Sequence, residues 1–273
     1  ELAAERNARI KYVFETHFHA DFVSGHIDLS RKANAPIIYG PEANADYQVY
    51  QAKDGEEFRL GKVRFRVLHT PGHTPESTCY LLLDEQGKPH AVFTGDTLFV
   101  GDVGRPDLLD GVMSSETLAS MMYDSLTQKI KTLPDDVIVY PAHGPGSACG
   151  KNIGKETFST IGAQKKFNYA LQDMSRAEFI EKITEGILPP PSYFFEDARI
   201  NKTGYDPIDD VIRENTRPLS VEQFNEQVAA GATILDARSA DDFEQGYIAG
   251  SVNVGLNGQF AVWVGTLIDI KKK

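Results

Sequence analysis

Four times in the first half of the chain, a short apolar or alternating run ends at once in a polar turn that carries histidine or aspartate. The runs are Tyr12-Val-Phe14 into Glu15-Thr-His-Phe-His-Ala-Asp21, the alternating Val63, Phe65 and Val67 into His69-Thr-Pro-Gly-His73, Ala91-Val-Phe93 into Thr94-Gly-Asp96, and Val137-Ile-Val-Tyr140 into Pro141-Ala-His143. Val, Ile, Phe and Tyr suit a pleated, half-buried surface, so each run reads as a strand. Five of the seven histidines lie in these turns. Turns at the ends of buried strands are where a rigid sheet can converge polar groups on one point.

Between the third and fourth runs, Ser114 and Ser115 precede Leu118, Met121, Met122, Leu126 and Ile130 at helical spacing, and Pro134 closes the segment. That predicts an amphipathic helix lying on the sheet. Helical patterns also precede the first strand, cover Phe158 to Phe167, and run over residues 175–187 until Leu188-Pro-Pro-Pro-Ser192 breaks them. Strands alternating with helices make a layered α/β domain. We expect this domain over residues 1–170, a helical tail and linker over 171–216, and a second α/β unit over 217–273. In that unit Ser220 should cap a helix through Val228, and Ala232 to Asp236 should form a strand. The second unit is small for its class and is expected to be incomplete. The first domain is expected to lack opening strands.

The turn residues His17, His19, Asp21, His73, Asp96 and His143 together predict a metal site, because imidazole and carboxylate are good ligands for divalent transition metals. His26, His69 and His90, each isolated, read as structural. Twenty-eight basic against 39 acidic side chains leave a formal charge of −11, a field that repels nucleic acid and anionic membranes, so neither is an expected partner. No run of 18 apolar residues and no charged-then-apolar leader is visible, and a cytoplasmic location is expected. Cys79 and Cys149 are the only cysteines and should be free thiols. Cys149, six residues past His143 and near Lys151, is a candidate for sulfur exchange as a thiolate; Cys79 reads as core.

The motifs His17-Phe-His-Ala-Asp21, Thr70-Pro-Gly-His-Thr74, Gly95-Asp96 and Pro141-Ala-His143 resemble, in order, those of the metallo-β-lactamase fold, which implies an αββα sandwich. The family's histidine after the aspartate is Phe22 here. Phenylalanine cannot coordinate, so a mononuclear site is expected over a dinuclear hydrolase. Thr16 to Gly25, Thr70 to Ser77, Thr94 to Phe99, Gly101 to Asp107 and Tyr140 to Gly144 further resemble persulfide dioxygenases fused to rhodanese domains. That resemblance implies one non-haem Fe(II) held by His17, His73 and Asp96, with open positions for substrate and O₂. His19, Asp21 and His143 would line the site. If His19 also ligates, zinc is the alternative.

The same resemblance implies oxidation of glutathione persulfide, or a similar low-molecular-weight persulfide, to sulfite and free thiol. The partners are then small molecules, and a homo-oligomer is expected on fold-level likeness. Arg105 is a candidate clamp for a substrate carboxylate, against a surface ion pair with Asp102 or Asp107. Lys151 and Asn152 are candidate helpers. The alternative activity is a glyoxalase II-like zinc thioester hydrolase. Leu235-Asp-Ala-Arg238, Gly246-Tyr-Ile248 and Gly250 to Val254 resemble the opening half of a rhodanese domain, with Tyr247 replacing its usual histidine. Asp236 and Arg238 should pair there.

Overall fold

In the computed structural model, which describes residues 1–109 and 112–269, the chain divides into two compact units. The first is Glu1–Pro190 with Asp197–Tyr205; the second is Pro191–Glu196 with Asp206 onward.

The first unit opens with α1 (Leu2–Glu5), β1 (Val13–Phe14), α2 (His26–Ala33), β2 (Ile37–Tyr39) and β3 (Tyr50–Gln51). The three strands form one parallel sheet, in the order β1-β2-β3. Then come β4 (Glu57–Leu60), β5 (Val63–His69), β6 (Thr78–Leu83), β7 (Pro89–Gly95), α3 (Ser115–Ser125), β8 (Ile138–Pro141), β9 (Ser159–Thr160), α4 (Ile161–Phe167) and α5 (Arg176–Thr184). Strands β4 to β9 form a second sheet in sequence order, antiparallel except for the β7–β8 pair.

Strand alternation builds the layers. In β6, Cys79, Leu81 and Leu83 face the core beneath α3 and α5, whereas Tyr80 points the other way, to Ile38, Ala52, Phe58 and Val67 between the sheets. In β2, Ile38 faces the larger sheet while Ile37 and Tyr39 face Ile27 of α2. The result is the expected αββα sandwich. Helix α3 starts where Ser114 accepts a hydrogen bond from the Thr117 amide. It runs on through a π-helical turn, Leu126–Ile130, so the sequence-predicted helix holds to Ile130. Leu118, Met122, Leu126 and Ile130 are all essentially fully buried, each contributing about 1.5–3 kcal/mol relative to exposure.

The stretch expected as tail and linker is more ordered than its composition suggests. Ser175 and Glu178 form a capping box that starts α5, which packs on α3. Helix α6 (Phe194–Thr203) follows the prolines, and residues 197–205 belong to the first unit. The second unit contains α7 (Ile208–Asn215), α8 (Val221–Ala229), β10 (Leu235–Asp236), α9 (Ala240–Glu244), β11 (Val252–Asn253) and α10 (Phe260–Leu267). Ser220 caps α8 as expected, β10 and β11 pair in parallel, and Arg238 forms the expected pair with Asp236 at 2.6 Å. The strand expected over 232–236 is shorter, only Leu235–Asp236. No helix among the described residues is long and apolar enough to cross a membrane.

Candidate metal centre

Each turn is shaped by the residues around its ligand candidates. After β1, the Phe18 ring is buried against Tyr39, so its neighbours His17 and His19 project the opposite way. The Phe18 amide donates to Glu76 Oε1 at 3.0 Å, and the Thr78 amide to the Thr16 carbonyl at 2.9 Å, which ties this turn to the one bearing His73. His73 Nδ1 donates to the Arg105 carbonyl at 2.8 Å, leaving Nε2 with its lone pair inward. Gly95, at φ 52°, takes the left-handed conformation that turns β7 into Asp96. Gly104 passes so close to the site that a Cβ there would lie 2.2 Å from the Asp96 carbonyl oxygen and 3.0 Å from His73 Nδ1.

The turns bring together all six predicted residues. Asp96 Oδ2 lies 3.4 Å from His73 Nε2 and 4.0 Å from His17 Nε2. Its other oxygen, Oδ1, lies 3.4 Å from His143 Nε2, which is 3.5 Å from Asp21 Oδ2. His19 Nδ1 is 3.9 Å from Asp21 Oδ1. Among the described residues three compact donor sets result, His17–His73–Asp96, His19–Asp21–His143 and Asp96–His143–Cys149, so that Asp96 reaches toward both sides of the site.

The donor chemistry fits a cation. His17 Nε2, His19 Nδ1, Asp21 Oδ1, both Asp96 oxygens and His143 Nε2 are buried without a hydrogen-bond partner. Each such orphan costs about 1–3 kcal/mol unless something satisfies it. Atoms coordinating one ion at about 2.1 Å sit about 3.0–3.4 Å apart, close to the spacings around Asp96. Burial pushes His17 well below the ordinary imidazole pKa and His19 down to about 4, so both are neutral. Burial opposes the charge on Asp96, but His17, His73 and His143 outweigh it and hold its carboxyl well below the usual range. Neutral imidazole and ionised carboxylate are the states that bind metal. For His143, burial is outweighed by the facing carboxylates of Asp96 and Asp21, which raise its pKa.

Other expectations change. The Arg105 guanidinium is buried and committed: Nε and Nη2 hold Asp107 in a fork at 2.7 Å, and further bonds run to the Ala148 and Leu188 carbonyls. It is therefore a brace between loops and not a free substrate clamp. Lys151 Nζ instead caps the last turn of α5 through the Lys182 and Glu185 carbonyls. The Lys151 and Asn152 amides both donate to Asp102, a fully buried carboxylate that holds their loop. Cys149 does lie beside Asp96 and His143, but it is 1% exposed, and burial pushes its thiol pKa far up. The expected thiolate is replaced by a buried thiol. His26 bonds Tyr47, His69 bonds the Pro75 carbonyl, and His90 is exposed, as structural histidines would. Glu76 was legible within the Thr70–Ser77 motif and Gly104 within Gly101–Asp107; Asn201, which bonds the His19 loop, carried no comparable signal.

The profile of the metallo-β-lactamase superfamily matches residues 1–143, and that of the rhodanese-like domain matches residues 220–273. A metallo-β-lactamase from Staphylococcus aureus subsp. aureus COL is 32% identical, with a TM-score of 0.80, over 98% of this chain and 77% of that one. ETHE1 from Myxococcus xanthus is 34% identical, with a TM-score of 0.62, over 74% of this chain and 80% of its own. The relative named "Probable hydroxyacylglutathione hydrolase glo2", from Schizosaccharomyces pombe, is 36% identical over 143 residues, 52% of each chain, so the chain spans about half that relative's length. A sandwich whose strand-end turns converge on a metal-binding site, matched over half its sequence by one profile, places this chain in the metallo-β-lactamase superfamily, with a rhodanese-like domain following.

Proposed function

We propose that the chain is a mononuclear, iron-dependent persulfide dioxygenase acting on glutathione persulfide or a similar low-molecular-weight persulfide. The observation that carries this reading is the set of two imidazoles and one carboxylate, His17, His73 and Asp96, beside Phe22 where a second ion would need histidine. Such a set leaves open positions that suit O₂ and a sulfur ligand. In the overall reaction a persulfide, O₂ and water give thiol, sulfite and two protons. The outer sulfur loses four electrons and dioxygen gains four.

When bound, iron supplies a redox-active Lewis acid that brings both reactants into one coordination sphere. The protein supplies the rest. His73, locked by the Arg105 carbonyl, presents one nitrogen in one tautomer. Asp21 and His143 stand opposite the triad, and His143 Nε2, between the Asp96 and Asp21 carboxylates, is placed to hold a proton and pass it to the thiol sulfur as the S–S bond breaks. Likeness to ETHE1 supports this reading.

A second reading, zinc-dependent thioester hydrolysis, is favoured by the second donor set His19–Asp21–His143 and by the name of the S. pombe relative. One experiment separates the two. The protein is purified anaerobically, its iron and zinc are measured, and oxygen uptake and sulfite are followed with glutathione persulfide. The dioxygenase reading expects about one iron per chain and one sulfite per O₂. Zinc content with cleavage of a glutathione thioester and no oxygen uptake would overturn it.

A further inference from the structure

We infer that Asn201, which lies outside every metal motif, is a positioning residue for the loop that carries His19 and Asp21. The loop between His19 and Ser24 is neither strand nor helix; Phe22 and Val23 are exposed but its ends at His19, Ala20 and Ser24 are buried, so the backbone groups it turns inward need partners from elsewhere. One side chain provides three of them. Asn201 is fully buried; its Nδ2 donates to the His19 and Phe22 carbonyls at 2.7 Å each, and its Oδ1 accepts from the Ser24 amide at 2.9 Å.

The segment around it is fastened to the same region. The Tyr47 hydroxyl donates to the Asn201 carbonyl at 2.8 Å, and the Asp46 amide to the Lys202 carbonyl at 2.9 Å. Tyr205 donates to the Ser24 carbonyl and accepts from the Ile27 amide. A primary amide suits the position because it offers two donors and an acceptor from one rigid plane. Aspartate would set oxygens against two carbonyls, and serine reaches fewer partners.

The first two donor sets are braced differently. His17, His73 and Asp96 are set by Thr16, the Arg105 carbonyl and the close passage of Gly104. His19 and Asp21 sit on the loop that Asn201 holds. Asn201 therefore governs the side of the site that faces an incoming ligand, and not the grip on the ion itself. Sub-ångström placement matters there, since open positions are shaped by the groups lining them.

The test uses the whole chain loaded with cobalt(II) alone, whose visible spectrum and response to azide report the open positions whichever reaction the site performs. For Asn201→Ala, cobalt should bind at one per chain with affinity within about fivefold of the parent, while azide affinity changes fivefold or more and the visible band shifts. Ile183→Val, on the buried face of α5, is the control for general loosening: it should lower thermal stability without moving either readout. Unchanged azide affinity in Asn201→Ala would overturn the inference. So would complete loss of cobalt, because the residue would then be holding the triad. If Asn201→Ala does not fold, Asn201→Ser and Tyr205→Phe are measured instead; both should shift azide affinity in the same direction by smaller factors, and unchanged values in both refute the assignment.

Discussion

Glu15 sits just ahead of the first ligand histidine, 8% exposed, with Oε1 accepting from the Ser24 hydroxyl at 3.1 Å and Oε2 3.7 Å from His19 Nε2. Burial raises its pKa from 4.5 to about 7, and the Ser24 bond only partly opposes this. The native state therefore keeps a proton that the unfolded chain releases, so stability falls as pH rises between those values. Below 4.5 the carboxyl is neutral in both states and costs nothing; above about 7 the cost is complete. At about 1.4 kcal/mol per pH unit, the full cost is about 3 kcal/mol. Glu15→Gln keeps the shape and removes the charge. In chelator-treated protein, the stability difference, variant minus parent, should rise by about 2.5 kcal/mol from pH 5 to pH 8, part of the cost being already present at pH 5. His19, whose pKa falls from 6.5 to about 4 on folding, adds its own pH dependence below pH 6.5 to both proteins, and this cancels in the difference. Urea unfolding should be followed by circular dichroism or by exchange of the β6 amides, because Trp263, the sole tryptophan, lies in the second unit. A difference that stays flat within about 0.5 kcal/mol across the range refutes the reasoning.

Asp96→Asn removes the one carboxylate that faces three imidazoles, and metal content by mass spectrometry should fall at least tenfold; retained stoichiometric metal would move the centre elsewhere. Phe22→His restores a nitrogen donor beside His19, against whose ring Phe22 packs at 4.5 Å, and should raise metal content above one ion per chain when zinc is supplied; a value still at one would show that this position does not select nuclearity. Arg105→Ala strips Asp107 of its buried partner and should destabilise the protein by about 3 kcal/mol while leaving KM within twofold. A severalfold rise in KM at unchanged melting temperature would restore the clamp role.

Much of the first unit was readable because its signals are local. Alternation in Val63–Val67, the Ser114 cap and the apolar stripe from Leu118 to Ile130 each act within a few residues, and the structure keeps all of them. The six metal-site residues were equally visible, since each stands at the end of a strand pattern and their side-chain types have few other uses together. Arg105 misled for the opposite reason. A guanidinium looks the same in sequence whether its fork is free or filled, and here Asp107, Ala148 and Leu188 fill it. Cys149 misled because exposure is not written in a Gly- and Ser-rich loop, and it is burial that keeps the thiol protonated.

What the residues alone determined is the kind of site, neutral imidazoles and carboxylates delivered by strand ends, because metal-ligand chemistry belongs to side chains and strand periodicity to nearest neighbours. Only the tertiary structure decided which groups remain free to act. Asn201 fastens a loop about 180 residues away in sequence, through backbone groups that every residue possesses. Such pairings depend on where the chain comes back to itself, and no local pattern records that.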